Sequence, residues 1–348
     1  MNRSDYWTER FSLLEEQLYE LGAVYFERVR RSYEAAIIEV EKEIADWYVR
    51  YAKDNEITYT EAKKRLTVGE LAAFKMTVEE YIRKGSSLDP QWIDDLKHAS
   101  AKFHVSRLDS MRVKMRHQVE ILAAETLETV EEMAKEVYSE KYYRTLFELQ
   151  KGTGVGFNVA EISTYKTDAA LKMIWAGDGK LFSDRIWTDK LKLIHELDTT
   201  FTQGVIRGVN LKKVISDISK RIKVKESNVA RLILTENKAI QSRGELDSYK
   251  DFGVKEYKLV ATLDLRTSPI CRSMDGEIFK VSDFKIGVTA PPFHPYCRTT
   301  TVPYNAKNEA IFGDVMTRAA RDNERDYYLV PMSMKYQEWY DTYVDKKS

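Results

Sequence analysis

The sequence predicts a mostly α-helical protein, in which long N-terminal helices precede a smaller α+β domain with a short β-sheet packed on helices. Three observations predict this fold class. Only one of the seven prolines precedes residue 269, and proline breaks helix interiors. Apolar residues in the first part of the chain recur every three or four positions, which is the helical period. From Tyr257 onward the apolar pattern changes to alternation, which is typical of strands.

The first helix has the most regular pattern. Between Phe11 and Tyr51, apolar side chains lie three or four residues apart, with a mean spacing of about 3.6 residues. A left-handed coiled coil would instead require a spacing of about 3.5 residues. The pattern therefore predicts a straight amphipathic helix of roughly 60 Å.

Capping signals place the next helices. Thr67 and Glu70 have the spacing of a capping box, and Asp89-Pro90 has the form of an N-cap followed by proline at the first helical position. From Pro90 to about Gln150 nothing stops a helix, although we expect one kink or break. Its apolar stripe is less regular and includes Trp92, Leu96, Phe103, Leu108 and Met111.

The C-terminal elements follow from caps and a change of period. Asn210 is predicted to cap a helix to about Ile222, and Ser227 a second helix that ends at Gly253. Strands are expected over 257–263, 277–281 and 298–302. The chain thus divides into a long-helix region 1–150, a linker or mixed segment 151–183, a domain 184–303, and a charged, partly helical tail 304–348.

Charge is balanced overall but segregated locally. Lys plus Arg and Asp plus Glu both number 55, so the total charge shows no general attraction to nucleic acid. Residues 207–225 hold seven basic residues against Asp217, and residues 120–140 hold seven glutamates against Lys135. The basic run is either a solvated helix face or a contact for DNA phosphates. The candidates for phosphate contact are Lys212, Lys213, Lys220 and Arg221.

Cysteine usage and hydropathy suggest the compartment. The N-terminus lacks a signal-peptide pattern, and no stretch is apolar enough to predict a membrane span. Two cysteines cannot form a disulfide framework. We expect a protein made in a reducing cytoplasm with no evident need for a membrane.

Cys271, His294 and Cys297 are the candidates for site chemistry. His294 and Cys297 have ligand-like spacing for zinc, but a closed structural site needs four ligands, and only Asp264 or Asp275 is at hand for the fourth. A Cys–His pair can also be a nucleophile with its base. In the third interpretation both cysteines are small buried groups and His294 hydrogen-bonds within its loop.

Two arginines near these residues are interpreted as structural clamps. A planar guanidinium can bridge carbonyls or a carboxylate across a loop. Arg266 and Arg298 would act in this way, with Asp264 and Glu236 as their expected partners.

The stretch of about residues 184–303 resembles the phage Mu F-like head morphogenesis proteins, in the branch found in phages of Gram-positive hosts. The motifs that carry the resemblance are Thr235-Glu236, Asp264-Leu265-Arg266-Thr267, Cys271 with Asp275-Gly276, and Pro291-Pro292-Phe293-His294-Pro295-Tyr296-Cys297-Arg298. The family often has an arginine before Thr-Glu, where this chain has Leu234. It often has a further cysteine after Arg298, where this chain has Thr299, so a potential fourth metal ligand is missing.

The resemblance implies a minor head protein, present in few copies inside the head near the portal and in the host cytoplasm during assembly. Its partners would be the portal protein, the scaffold or major capsid protein, and packaged DNA, in procapsid assembly, DNA packaging or ejection. It implies no catalysis and no cofactor beyond a potential structural zinc. The alternatives are a Cys/His-dependent enzyme and a basic DNA-binding module.

Overall fold

The computed structural model describes residues 3–54, 56–156, 159, 161–305, 317–322, 328–331 and 333–345. The chain forms two compact units, each assembled from separate segments. Unit 1 comprises residues 1–26, 131–181 and 231–348, and unit 2 comprises residues 27–130 and 182–230. Three of the four boundaries fall inside long helices, and the fourth, at 181/182, falls immediately before a helix.

Helices dominate the described residues, as predicted. They are α1 (Arg3–Tyr51), α2 (Tyr59–Ala62), α3 (Val68–Lys84), α4 (Pro90–Ala101), α5 (Arg107–Thr153), α6 (Thr164–Leu171), α7 (Phe182–Ile206), α8 (Leu211–Phe252), α9 (Pro269–Met274) and α10 (Tyr336–Trp339). The predicted stripe of α1 is largely buried, with Phe11, Val40 and Ile44 fully enclosed. The helical period of the apolar residues therefore identified the packed face of α1 correctly.

Local caps set the ends of α3 and α4 as the sequence predicted. The Thr67 hydroxyl accepts from the Glu70 amide, and the Glu70 carboxylate accepts from the Thr67 amide, which completes a capping box. The Asp89 carboxylate accepts from the Gln91 amide at the start of α4. Each cap supplies an acceptor for an otherwise unpaired amide of the first turn.

The break expected in the long helix after Pro90 lies at residues 102–106, because this segment pairs with the chain before α3: the Leu66 amide donates to the Val105 carbonyl at 2.9 Å. Two details of the helix predictions need correction. Phe103, predicted to be buried, is 79% exposed in this break. Conversely, Asn210 caps α8 as predicted, but no second helix starts at Ser227. Its hydroxyl bonds back to the Lys223 carbonyl, so α8 continues unbroken.

A three-stranded antiparallel sheet follows α8. Its strands are β1 (Glu256–Val260), β2 (Ile278–Lys280) and β3 (Thr300–Tyr304), in the order β2-β1-β3. Gly253 ends α8 with a φ of 82°, a left-handed conformation that favours glycine. Tyr249 of α8 packs on Tyr257 of β1, and its hydroxyl lies 3.1 Å from Thr301 Oγ1. The predicted small sheet on a helix is confirmed.

The C-terminal tail contains more structure than predicted. Besides the expected helix, it has a two-stranded sheet of β4 (Thr317–Ala320) and β5 (Tyr328–Pro331). Tyr336 and Trp339 are fully buried with Leu263, the residue that precedes the Asp-x-Arg-Thr motif. The tail thus completes the core of the α+β part. The prediction for residues 306–316, 323–327 and 346–348 lies outside the described residues.

Candidate functional site

The fold brings together the three polar clusters that the sequence singled out. Residues 264–267 follow β1, residues 271–276 comprise the end of α9 and the turn after it, and residues 294–298 lead into β3. All of them belong to unit 1. Because the connections between these short elements carry many unpaired backbone groups, polar side chains within them find local partners.

Cys271, His294 and Cys297 form one cluster. Cys271 Sγ lies 3.1 Å from His294 Nε2 and 3.6 Å from Cys297 Sγ, and the three ligand atoms lie within 4.8 Å of one another. Both thiols are buried. Ser268 caps α9 and thereby orients Cys271, while His294 Nδ1 lies 2.7 Å from the Pro295 carbonyl. The sequence indicated these three residues as candidates, but it could not predict their contact, because 23 and 26 residues separate Cys271 from the other two.

The two thiols differ in electrostatics. Hydrogen bonds from Cys271, the larger effect, and from His294 hold the pKa of Cys297 well below the usual value for a thiol and outweigh the opposing effect of burial. The same interaction between the thiols raises the pKa of Cys271, as does burial. The contact with Cys297 raises the pKa of His294. The cluster therefore favours one thiolate beside a protonated or metal-bound partner.

The clamp predicted for Arg298 is present. Its guanidinium donates to both carboxylate oxygens of Asp264, at 2.7 and 2.8 Å. Asp264 also accepts from the Arg266 amide and the Thr267 hydroxyl. Burial alone raises the pKa of Asp264, but these partners, Arg298 foremost, more than offset it and hold the pKa below its usual value. Asp264 is thus an ionised structural hub.

Arg266 does not act as a second clamp. Its side chain is 75% exposed and lies only at the limit of ion-pair distance from Asp264, at 4.0 Å. Its backbone amide, not its guanidinium, makes the contact that matters. The prediction for Arg266 was wrong, because the Arg298 guanidinium already binds both carboxylate oxygens of Asp264.

A buried Asp275–Arg318 pair was missed by sequence reasoning. Arg318 of β4 donates to both oxygens of Asp275 at 3.0 Å, and both side chains are essentially inaccessible. The amides of Ala261 and Tyr336 donate to the same carboxylate. Arg318 also donates to the Ala261 carbonyl. In the sequence Arg318 is one of several charges in the tail, and no spacing rule distinguishes it.

The remaining motif residues have local roles. Thr235 bonds back to the Arg231 carbonyl within α8, and Glu236 accepts from the Trp175 indole at 2.8 Å. Gly276 adopts a φ of 79°, and its amide donates to the Leu259 carbonyl, which ties the Asp-Gly turn to β1.

The predicted phosphate-contact residues belong to the other compact unit. Lys212, Lys213, Lys220 and Arg221 are all exposed on α8, and Lys213 pairs with Asp217 at 2.6 Å. Lys225 of the same run is instead buried and pairs with Glu196. The four candidates are therefore exposed to solvent, whereas Lys225 belongs to the packed interior of unit 2.

Comparison with known proteins identifies the C-terminal part. Residues 195–302 match the family described as phage Mu protein F like protein, and they contain every motif named above. No curated protein and no solved structure matches the chain significantly. Over these residues the chain is similar to that family, and the similarity suggests a phage head morphogenesis protein. No described helix is long and apolar enough to cross a membrane.

Proposed function

We propose that the chain is a minor head protein of a tailed phage that acts by binding other head components rather than by catalysis. The observation that carries this proposal is the Mu F-like match over residues 195–302. The motif residues support it, because their contacts are structural. Arg298 binds the Asp264 carboxylate, and the Asp275 carboxylate accepts from the Ala261 amide. A nucleophile must reach its substrate, and Cys271 and Cys297 are each only 2% exposed.

The proposed partners are the portal protein and the scaffold or major capsid protein, with the protein inside the head near the portal. Long helices provide suitable surfaces for such contacts, since α1 and α5 have 49 and 47 residues. Exposed glutamates of α5, such as Glu125 and Glu128, supply a face of one charge for a basic protein partner. The role would be in procapsid assembly, DNA packaging or ejection.

Purified virions and procapsids provide the direct test. Quantitative mass spectrometry should find this chain in both particles at a few copies per head, and crosslinking should join it to the portal protein. Particles that lack the chain, or crosslinks confined to the outer capsid surface, would contradict the proposal. A thiol reagent applied to the folded, metal-free protein should react slowly. Rapid stoichiometric labelling of one cysteine would instead favour the enzyme alternative.

The contact with packaged DNA is tested separately. Neutralising Lys212, Lys213, Lys220 and Arg221 should weaken DNA binding and lower the salt dependence of the affinity by up to about three to four phosphate contacts. A matched control neutralises four exposed lysines elsewhere in unit 2, Lys63, Lys84, Lys97 and Lys102. An equal loss of DNA affinity in both variants would mean that binding depends on total charge and not on the basic run.

A further inference from the structure

The Cys271–His294–Cys297 cluster has the dimensions of a metal site. In tetrahedral zinc coordination, Zn–S bonds of about 2.3 Å place two sulfur ligands roughly 3.8 Å apart and a nitrogen ligand slightly nearer. The observed separations are 3.6 Å between the sulfurs and 3.1 Å from Cys271 Sγ to His294 Nε2. The sulfurs are too far apart for a disulfide, whose bond is about 2.05 Å.

The histidine is oriented as a metal ligand would be. His294 Nδ1 lies 2.7 Å from the Pro295 carbonyl, so Nδ1 carries the proton in that contact and Nε2 presents its lone pair to the thiols. A carbonyl that holds the distal nitrogen is the usual outer-shell partner of a ligating histidine. The Pro295 carbonyl therefore holds the ring of His294 in the orientation that a metal ligand needs.

The surroundings of the cluster favour soft ligands over carboxylates. Ala261 and Phe293 pack against the two cysteines. Asp264 and Asp275, considered in the sequence as fourth ligands, have both oxygens engaged by Arg298 and Arg318. Neither carboxylate joins the cluster among the described residues. The protein therefore offers three ligands, two thiolates and one imidazole.

Thr299 is a buried side chain beside Cys271. Its side chain is 1% exposed, and its hydroxyl interacts with Cys271. In the described part of the chain, this buried oxygen makes no hydrogen bond of ordinary geometry. A buried hydroxyl without a hydrogen bond lowers the stability of the fold unless a further group, such as a metal-bound water, bonds to it.

We propose that Cys271, His294 and Cys297 bind one zinc-type divalent cation, with Thr299 beside a fourth position that water occupies. The cation would tie α9 to the loop that leads into β3, across 26 residues of chain. Three protein ligands leave the fourth position open, but both thiols are buried, so the effect we expect of the cation is to stabilise the contact between these two segments. This proposal stands on side-chain geometry and is independent of the head-protein assignment.

Metal titration of the full-length, reduced and chelator-stripped protein tests the site. Cobalt(II) should bind at one equivalent and give thiolate-to-metal charge-transfer absorption together with the visible bands of tetrahedral cobalt. Zinc should then displace cobalt, raise the thermal unfolding midpoint and protect both thiols from alkylation. A folded protein that binds no cobalt at these thiols, or that forms only a Cys271–Cys297 disulfide on air oxidation, would overturn the proposal.

Loss-of-ligand variants assign the residues. Cys271→Ser, Cys297→Ser and His294→Ala should each weaken cobalt binding by at least about a hundredfold. His98→Ala, which removes an exposed histidine, should leave it unchanged. Circular dichroism of each metal-free variant separates loss of the site from loss of the fold.

A gain-of-ligand variant keeps the test decisive even if those variants unfold. Thr299→Cys should supply a third thiolate, strengthen the charge-transfer bands and lower the dissociation constant by about tenfold or more. The matched control, Thr300→Cys, adds a thiol one residue further along the chain and should do neither. Equal spectra for the two variants would refute the proposed fourth position.

Discussion

The helical unit 2 and the α+β part of unit 1 bury polar groups in different ways. In unit 2 a titratable ring lies in the core in its neutral form: His117 is 4% exposed, stacks on Tyr81 and accepts from the Trp92 indole. The α+β part buries two carboxylates, Asp264 and Asp275, and both accept from backbone amides. Glu120, a buried carboxylate of unit 2, pairs instead with the side chains of Lys190 and Arg116.

The difference follows from how each region satisfies its backbone. Helices pair their own amides and carbonyls, so caps such as Thr67 suffice at their ends. The strands β1, β2 and β3 have only five, three and five residues. Their connecting loops need other acceptors, and Asp275 accepts from the amides of Ala261 and Tyr336. Short strands therefore depend on buried carboxylates, and those carboxylates depend on arginines.

The largest effect is expected at Arg318. Replacing it with Leu leaves Asp275 buried without its counter-charge, which should cost about 3–5 kcal/mol of stability. Urea unfolding followed by circular dichroism measures the loss. Arg266→Leu is the matched control, because that side chain is mostly exposed, and it should unfold like the wild type.

A double variant distinguishes charge balance from backbone support. If Asp275 only balances Arg318, Arg318→Leu with Asp275→Leu should recover most of the lost stability. If Asp275 supports the loops, the double variant should stay as unstable as the single one, because two buried amides lose their acceptor. We expect the second result, and full recovery would remove the contrast between the two regions.

The next effect is a pH dependence in unit 2. Burial lowers the pKa of His117 to about 4, whereas an unfolded histidine has a pKa of about 6.5. As the pH falls from about 6.5 to 4, the unfolded state gains a proton that the folded state excludes. Stability should therefore be complete above about pH 6.5 and should decline by up to about 3 kcal/mol across this window.

His117→Gln provides the test, since its amide oxygen can still accept from the Trp92 indole. The free energy of unfolding, measured by urea titration between pH 7 and 5, should fall less steeply than in the wild type. His98→Gln, which changes an exposed histidine, is the control. An unchanged slope in His117→Gln would mean that other groups govern the acid sensitivity of unit 2.

The same contrast explains what the sequence could predict. The stripe of α1, the capping box at Thr67 and the alternation in β1 are local patterns, so period and capping rules identified them. The contact of Asp264 with Arg298 was expected from its residue types, although it spans 34 residues. The break at 102–106 was not located, because it depends on pairing with Leu66, and Arg318 acquires its role only when the tail packs beside Leu263.

The smallest effect is expected for Arg298→Lys, which keeps the charge but loses the two-point contact with Asp264. The loss of one charge-assisted hydrogen bond should cost roughly 1–2 kcal/mol, whereas Arg266→Lys should cost nothing measurable.

The pKa of Asp264 is lowered in the folded state, so the stabilisation is fully present above the unfolded value of about 3.9. It is lost as the pH falls through the folded pKa. The difference between wild type and Arg298→Lys should therefore be constant from pH 7 to about 5 and shrink only in stronger acid. This window lies below that of His117, so a single pH series separates the two regions. If the Arg298→Lys difference disappeared already between pH 6.5 and 5, Asp264 would not be the ionised partner of Arg298.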